Sequence, residues 1–324
     1  MSTTNRFNRD LDDSSPIRRL TSVNLHGWVL ADERSDQPTN FASSLNFPFS
    51  IGLIDIYYSE MGLFLYTMVL LALFTILWKV SSVVRYYLKF IFFCLASMIG
   101  AAGPIPLMLN KPRDPKNALL PAATCRLAAK IIGLKYTVEG HENIVKNTGC
   151  VVLMNHQSIL DLIILAYLWP IMENCAVISK KEIFYLQPFG LAAWLWGTIF
   201  INRSDSKGSK AQVSKSEIAI RKRQSRILMF PEGTRSLGKK LLPFKKGAFH
   251  LAVDAECPIQ PVAVSRYSFL GKHKFESGHI KIKILPAICT KGCTKEDIPR
   301  LIDETYKVMS ENVDLISDSE VKTN

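Results

Sequence analysis

Residues 61–78, MGLFLYTMVLLALFTILW, form an 18-residue run without a single charge. At a rise of about 1.5 Å per residue, such a run is just long enough to cross the ~30 Å hydrocarbon core of a bilayer as a helix. It is also apolar all round, unlike a surface helix with one buried face. It can be extended back to Ile54 only by taking in Glu60 and Asp55. A basic interval with Lys79, Arg85 and Lys89 follows, and then a second apolar stretch, residues 90–109, FIFFCLASMIGAAGPIPLML. Gly100, Gly103, Pro104 and Pro106 interrupt it, so only about its first ten residues are expected to be unbroken helix. The expectation is an N-terminal hydrophobic membrane helix pair whose second member is kinked or shallow, and which either crosses the bilayer or lies in one leaflet. Lys111, Arg113 and Lys116 place further positive charge after the pair, so basic residues on both sides leave its orientation open.

The rest of the composition agrees with a membrane component. Of 324 residues, 48% are hydrophobic, and the formal net charge is +12, which suits anionic headgroups, nucleic acid or phosphorylated small molecules. Residues 1–50 are mostly polar, lack helical or strand periodicity and are expected to be disordered. They contain no early apolar region of the kind a cleaved signal peptide needs. Seven cysteines stand at 94, 125, 150, 175, 257, 289 and 293 without a C-x-x-C pair, and are read as reduced, mostly buried thiols. No metal site is expected, and the isolated Cys289 and Cys293 do not change that.

From about Ala118 onward the pattern is that of an α/β domain. Strands are expected at KYTVEG (135–140), CVVLM (150–154), CAVIS (175–179), TIFIN (198–202), RILMF (226–230), IQPVAVS (259–265) and IKIKILP (280–286). Helical patterns lie at 160–171, 210–222 and 247–255, and an amphipathic helix at 295–316 carries Ile298, Leu301, Ile302, Thr305, Met309 and Ile316 on one face. The residues after 316 are expected to fray.

Within this pattern, NHQSILD (155–161) places a histidine and an aspartate in an apolar run. Five residues apart they would diverge by about 140° on a continuous helix, so His156 and Asp161 meet only at a boundary, a strand ending near Met154 and a helix opening near Ser158. That boundary is the carboxyl end of a strand, where α/β folds place their sites. One reading is a satisfied core histidine beside a helix-capping acid. The other is a general base, with Asp161 fixing the tautomer and stabilising the imidazolium of His156. The sequence has no G-x-S-x-G elbow, so the hydroxyl to be activated would belong to a substrate.

A second turn, FPEGTRS (230–236), follows a strand stopped by Pro231. Gly233 permits close backbone approach, Thr234 offers a hydroxyl and Arg235 a forked cation suited to phosphate. A surface turn with a Glu232–Arg235 ion pair is the alternative. A third stretch, residues 179–203, is rich in aromatic residues between Lys180, Lys181 and Arg203, and reads either as a buried helix or as an interfacial one with a cationic rim. CPIQPVAVS (257–265) reads as a buried strand. Residues 200–250 carry 13 Lys and Arg against 3 Asp and Glu, nearly all of the chain's net charge. No RNP-like motif, zinc finger or basic zipper accompanies them, so nucleic acid is not the expected partner.

In this order the four stretches resemble the motifs of the glycerolipid acyltransferases, most closely the 1-acyl-sn-glycerol-3-phosphate acyltransferases of the eukaryotic endoplasmic reticulum. NHQSILD resembles the N-H-x-x-x-x-D motif, KKEIFYLQPFG through GTIFINR the second motif, FPEGTRS the third residue for residue, and CPIQPVAVS the fourth, with Gln260 where a small or aliphatic residue is commoner. The resemblance implies a glycerol-phosphate acyltransferase-like α/β fold, a central mixed sheet flanked by helices, with residues 51–110 as membrane anchor and 111–316 as catalytic domain. It implies that His156 and Asp161 are catalytic and that Lys181 (or its neighbour Lys180), Arg203, Glu232, Gly233, Thr234 and Arg235 bind the acceptor. It further implies acyl-CoA as co-substrate, lysophosphatidic acid as acceptor, the lipid bilayer as partner, and neither a cofactor nor a metal. The same motifs allow other acceptors, such as glycerol 3-phosphate, a lysophospholipid or lysocardiolipin, and a non-catalytic membrane-binding protein would keep the basic, apolar surface without needing His156 and Asp161. Asn202, Arg203 and Ser204 form an N-glycosylation acceptor sequence inside the second motif; a glycan there would obstruct the site, so the catalytic face is expected to be cytosolic.

Overall fold

A computed structural model of the chain describes residues 48–202 and 216–321. Nearly all of the N-terminal polar segment, Arg203, residues 210–215 of the expected helix at 210–222, and residues 322–324 lie outside the described residues. The chain divides into two units, Met1–Thr67 and Met68–Asn324. In the first, the described residues belong to helix α1, which runs Pro48–Val80. Its stretch Ser59–Val80 is long and apolar enough to cross a membrane, and none of it is buried by protein.

In the second unit, α2 spans Ser82–Ala102 and also passes the length and composition test for a membrane span. This corrects the expectation of a helix confined to the first part of residues 90–109. Ser81 starts the helix by accepting the Val84 N–H on its side chain (3.3 Å), so Arg85 and Lys89 are helical residues and not a linker. Arg85 Nη1 donates to the carbonyls of Trp78 and Lys79 (2.7 and 2.9 Å), satisfying acceptors that the end of α1 leaves open. The break comes at Gly103 and Pro104, after which α3 (Ile105–Met108) forms a single turn. Gly100 does not break the helix. It lies against α4 (Leu119–Ile131), where a Cβ would stand 2.6 Å from Thr124 Cγ2.

A seven-stranded sheet orders β1 (Leu134–Glu139), β9 (Gly278–Ile284), β6 (Ile259–Val264), β2 (Cys150–Met154), β5 (Arg226–Met229), β3 (Cys175–Lys180) and β4 (Ile199–Ile201) side by side. The five strands from β6 to β4 are mutually parallel; β9 pairs antiparallel with β6 and parallel with β1, giving the expected mixed sheet. β7 (Leu270–Gly271) and β8 (Lys274–Phe275) form a separate small hairpin. In the central strands successive side chains go to opposite layers. Val152, Met154, Leu228, Val262 and Val264 join one apolar cluster, and Val151, Leu153, Ile227, Ile259 and Ala263 the other.

The first cluster is roofed by α2, α4, α5 (Asp161–Met172) and α6 (Phe189–Leu195), the second by α7 (Gly247–Asp254) and α8 (Ile298–Val321). α5 is apolar on nearly every side and buried accordingly. Its Pro170 has no N–H for the carbonyl of Ala166, and Arg126 Nη1 from α4 donates to that carbonyl instead (2.5 Å). α8 buries Ile298, Leu301, Thr305, Met309, Val313 and Ile316 at helical spacing and continues past Ile316 to Val321. Gln260, the unexpected polar residue of β6, is buried; its Oε1 accepts the Val145 N–H (2.9 Å) and its amide donates to the Leu285 carbonyl, so it staples two connections to the sheet.

Close approach of α2 and α4 at Gly100 gives a direct test. Gly100→Leu should lower stability by ~1–3 kcal/mol through overpacking, read as a lower melting midpoint in detergent. Gly62→Leu, where a Cβ meets nothing within 4 Å, should leave that midpoint unchanged.

Candidate active site

The parallel pairing brings the carboxyl ends of β6, β2, β5 and β3 to one edge of the sheet. His156 stands two residues beyond β2, Glu232 three beyond β5, Tyr267 three beyond β6 and Lys181 one beyond β3. After β2 the chain turns through Asn155 to Leu160, and α5 opens at Asp161. The strand-to-helix corner expected from the five-residue spacing is present, with the helix starting three residues later than Ser158.

At that corner His156 Nδ1 lies 2.6 Å from Asp161 Oδ2. The carboxylate accepts, so Nδ1 carries a proton, and in the neutral imidazole the lone pair lies on Nε2. Oδ2 also accepts the backbone N–H groups of Gln157 (2.8 Å) and Ser158 (3.2 Å), and Oδ1 accepts the phenol of Tyr267 (2.7 Å). Asp161 is therefore buried, at 3% exposure, yet supplied with four donors. The His156 side chain is 17% exposed, and its ring stacks on Phe230 at 3.9 Å between centroids. Packing and the Asp161 bond thus fix the ring while leaving it accessible.

Two side-chain amides tie this corner to β6 and the segment after it. Asn155 donates to the Val264 carbonyl (3.0 Å) and accepts the Val264 N–H (2.9 Å). Gln157 donates to the Ser265 carbonyl (2.9 Å) and accepts the Tyr267 N–H (3.1 Å). Each amide thereby acts as an added strand partner for backbone groups that would otherwise be buried without one.

The turn after β5 is attached to the same corner through Glu232. Its Oε1 accepts the His156 N–H (2.7 Å) and its Oε2 the Leu242 N–H (2.9 Å), while the Ser236 N–H donates to the His156 carbonyl (2.9 Å). Burial pushes the Glu232 carboxyl above its usual range, and these hydrogen bonds oppose the shift. A Glu232–Arg235 ion pair is not found among the described residues: Glu232 is buried on backbone donors, whereas Thr234 and Arg235 are exposed. Each oxygen of Glu232 thus accepts a backbone N–H, and the side chain holds the turn to the corner. Gly233 has φ +70°, a left-handed conformation that favours glycine, and the flexible end of the Lys245 side chain lies against it, 2.8 Å from where a Cβ would stand.

The remaining expected positions are less closely joined. Lys180 ends β3 and Lys181 opens the turn after it, both exposed at the same sheet edge. Arg203 lies outside the described residues. The aromatic stretch after Lys181 is neither one buried helix nor one interfacial helix; it is a short turn, Lys181–Tyr185, followed by α6 and β4, with Tyr185, Leu186 and Trp194 exposed. Asn155, Gln157, Phe230 and Tyr267 join the site without having been singled out. Only Asn155 and Gln157 left a local signal, as polar residues in an otherwise apolar run.

Residues 135–265 match the family model described as Acyltransferase. The human 1-acyl-sn-glycerol-3-phosphate acyltransferase beta is 33% identical over 244 residues, 74% of this chain and 87% of the relative. The human 1-acyl-sn-glycerol-3-phosphate acyltransferase alpha is 34% identical over 236 residues, 72% and 83% of the two chains. Among solved structures, the 1-acyl-sn-glycerophosphate acyltransferase PlsC from Thermotoga maritima shares the fold, with a TM-score of 0.53 at 22% identity over 71% of this chain and 97% of that one.

Glu232→Gln would turn an amide NH₂ toward one of two backbone donors and should cost ~1–3 kcal/mol of stability in denaturant titration. The raised carboxyl adds a sign. The native state holds the Glu232 proton more tightly than the unfolded chain, so wild-type stability falls as pH rises from the ordinary glutamate range through the raised value. Glutamine lacks this slope, so the gap between the two proteins should narrow with rising pH in that window.

Proposed function

This chain belongs to the 1-acyl-sn-glycerol-3-phosphate acyltransferases, and from that premise we propose that it transfers an acyl group from acyl-CoA to the sn-2 hydroxyl of lysophosphatidic acid, yielding phosphatidic acid and free CoA. The observation that carries the reading is the 2.6 Å bond between His156 Nδ1 and Asp161, which directs a basic Nε2 outward from a rigid corner. Nε2 takes the proton of the sn-2 hydroxyl as its oxygen attacks the thioester carbonyl. Asp161 stabilises the imidazolium so formed. Collapse of the tetrahedral intermediate breaks the carbon–sulfur bond, and the departing CoA thiolate recovers the proton from Nε2. The acyl group passes directly between substrates, so the protein supplies no nucleophile.

Thr234 and Arg235, exposed on a turn that Glu232 and Gly233 hold in shape, are suited to the acceptor's phosphate, together with Lys181 and Arg203. Glu232 belongs to the same acceptor-binding turn and holds it to the His156 corner. A fixed cation near the base sets the distance from phosphate to reacting hydroxyl, which favours a phosphate-bearing acceptor over a neutral one. Residues 51–110 serve as the membrane anchor and 111–316 as the catalytic domain, which holds the site where both lipid substrates reside. The proposed location is the endoplasmic reticulum membrane, with the catalytic face toward the cytosol, in phospholipid biosynthesis.

Purified enzyme given labelled acyl-CoA should use lysophosphatidic acid in preference to glycerol 3-phosphate, lysophospholipids or lysocardiolipin when products are resolved; preference for another of these would reassign the acceptor. His156→Ala should lower turnover at least ~10²-fold while sedimentation with membranes is unchanged. For Arg235→Ala, the KM for lysophosphatidic acid should rise ~10-fold or more, the scale of one charged hydrogen bond, with the acyl-CoA KM unaffected.

A further inference from the structure

We propose that Tyr267 is a positioning residue for acyl transfer, its phenol O–H fixing the Asp161 carboxylate that orients His156. The inference rests on the reading of His156 as general base, and extends the working unit to a third residue 106 positions away along the chain. Tyr267 Oη donates to Asp161 Oδ1 at 2.7 Å, on the oxygen that His156 does not use. Oδ2 receives the imidazole and the two loop N–H groups, so the phenol is the donor that secures the other end of the carboxylate plane.

The phenol is well placed for this and for little else. Tyr267 is 4% exposed, and its ring packs beside Phe269 at 5.2 Å between centroids. Its backbone N–H is held by Gln157 Oε1 (3.1 Å), from the same loop as His156, so main chain and side chain both report to the catalytic corner. A core tyrosine needing only its ring could be phenylalanine; the hydroxyl is matched to one carboxylate oxygen. Burial and the neighbouring Asp161 charge push the phenol well above its usual range, so it remains a donor wherever the enzyme works.

The bond also has an electronic consequence. A phenol donor draws charge from the carboxylate, and a less basic carboxylate stabilises imidazolium less. Among the described residues, Tyr267 from the segment after β6 and Glu232 from the turn after β5 are titratable groups facing the pair, and Tyr267 is the one of these two that donates to Asp161. Removing the phenol should make His156 hold its proton more tightly, so that neutral imidazole is reached only at higher pH.

The test is Tyr267→Phe in the full chain, assayed with acyl-CoA and lysophosphatidic acid across pH. The expected result is a kcat lowered about tenfold, KM values unchanged for both substrates, and the acidic limb of kcat/KM displaced to higher pH. In an Asp161→Asn background the same substitution should add much less, since its effect passes through Asp161. An unchanged kcat and pH profile with only a lower melting midpoint would overturn the proposal and leave Tyr267 a packing residue. If Tyr267→Phe does not fold, 3-fluorotyrosine at 267 keeps the shape and strengthens the donor; the limb should then move to lower pH, and an unmoved limb overturns the proposal. Activity retained in His156→Ala would instead defeat the general-base reading itself, whereas an inactive His156→Ala beside an unaffected Tyr267→Phe would remove Tyr267 alone.

Discussion

Asp161 carries a carboxylate that an apolar interior could not hold unpaired, because removing a charge from water costs several kcal/mol after relaxation. The cost is offset by an imidazole, two backbone amides and a phenol, and these donors fix the geometry around it. The two amides shape the loop between β2 and α5, the imidazole is held in one orientation, and the phenol brings in the segment after β6. Under the proposed general-base reading, the requirements of folding and of proton transfer coincide at one side chain. The same burial that makes the carboxylate dependent on its donors shields it from water and strengthens its hold on His156.

The second carboxylate, Glu232, repeats this logic with backbone partners alone. By accepting N–H groups from His156 and Leu242 it joins the turn after β5 to the corner after β2. Ser236 closes the link in the other direction through the His156 carbonyl. The turn after β5 and the corner after β2 are therefore joined by one main-chain hydrogen bond and by a buried carboxylate that accepts only from backbone donors, which fixes the spacing between them. Such a link suits a reaction in which phosphate and hydroxyl belong to the same small headgroup.

Much of this was legible in the sequence because it depends on local periodicity. Each strand of the large sheet coincides with a short β-branched or apolar run, and the five-residue step from His156 to Asp161 excluded a single helical face. The misses have physical causes. Helix α4 carries Leu120, Leu127 and Ile131 exposed, so its apolar residues do not mark one buried side and its period is obscured. The start of α2 contains Arg85 and Lys89, which read as a linker until the carbonyls at the end of α1 appear as partners for Arg85. Gly100 looks like a helix breaker in one dimension and is a contact residue in three. Tyr267 had no local signal, since its partner Asp161 lies 106 positions away along the chain.

Exposure of apolar side chains on the helices roofing one face of the sheet follows from the same division of labour. Leu95 and Ile99 on α2, Leu120, Leu127 and Ile131 on α4, and Trp194 on α6 are all exposed, on helices whose other sides pack into the core. In water such surface is a liability, whereas at a lipid surface it costs nothing and adds to attachment. The opposite face, roofed by α7 and α8, buries its apolar residues on one side of each helix in the ordinary manner of a water-soluble domain. A lipid acyltransferase needs both solutions in one unit: a layer that tolerates hydrocarbon, a layer that tolerates water, and between them a sheet edge whose buried carboxylates are satisfied by the protein before any substrate arrives.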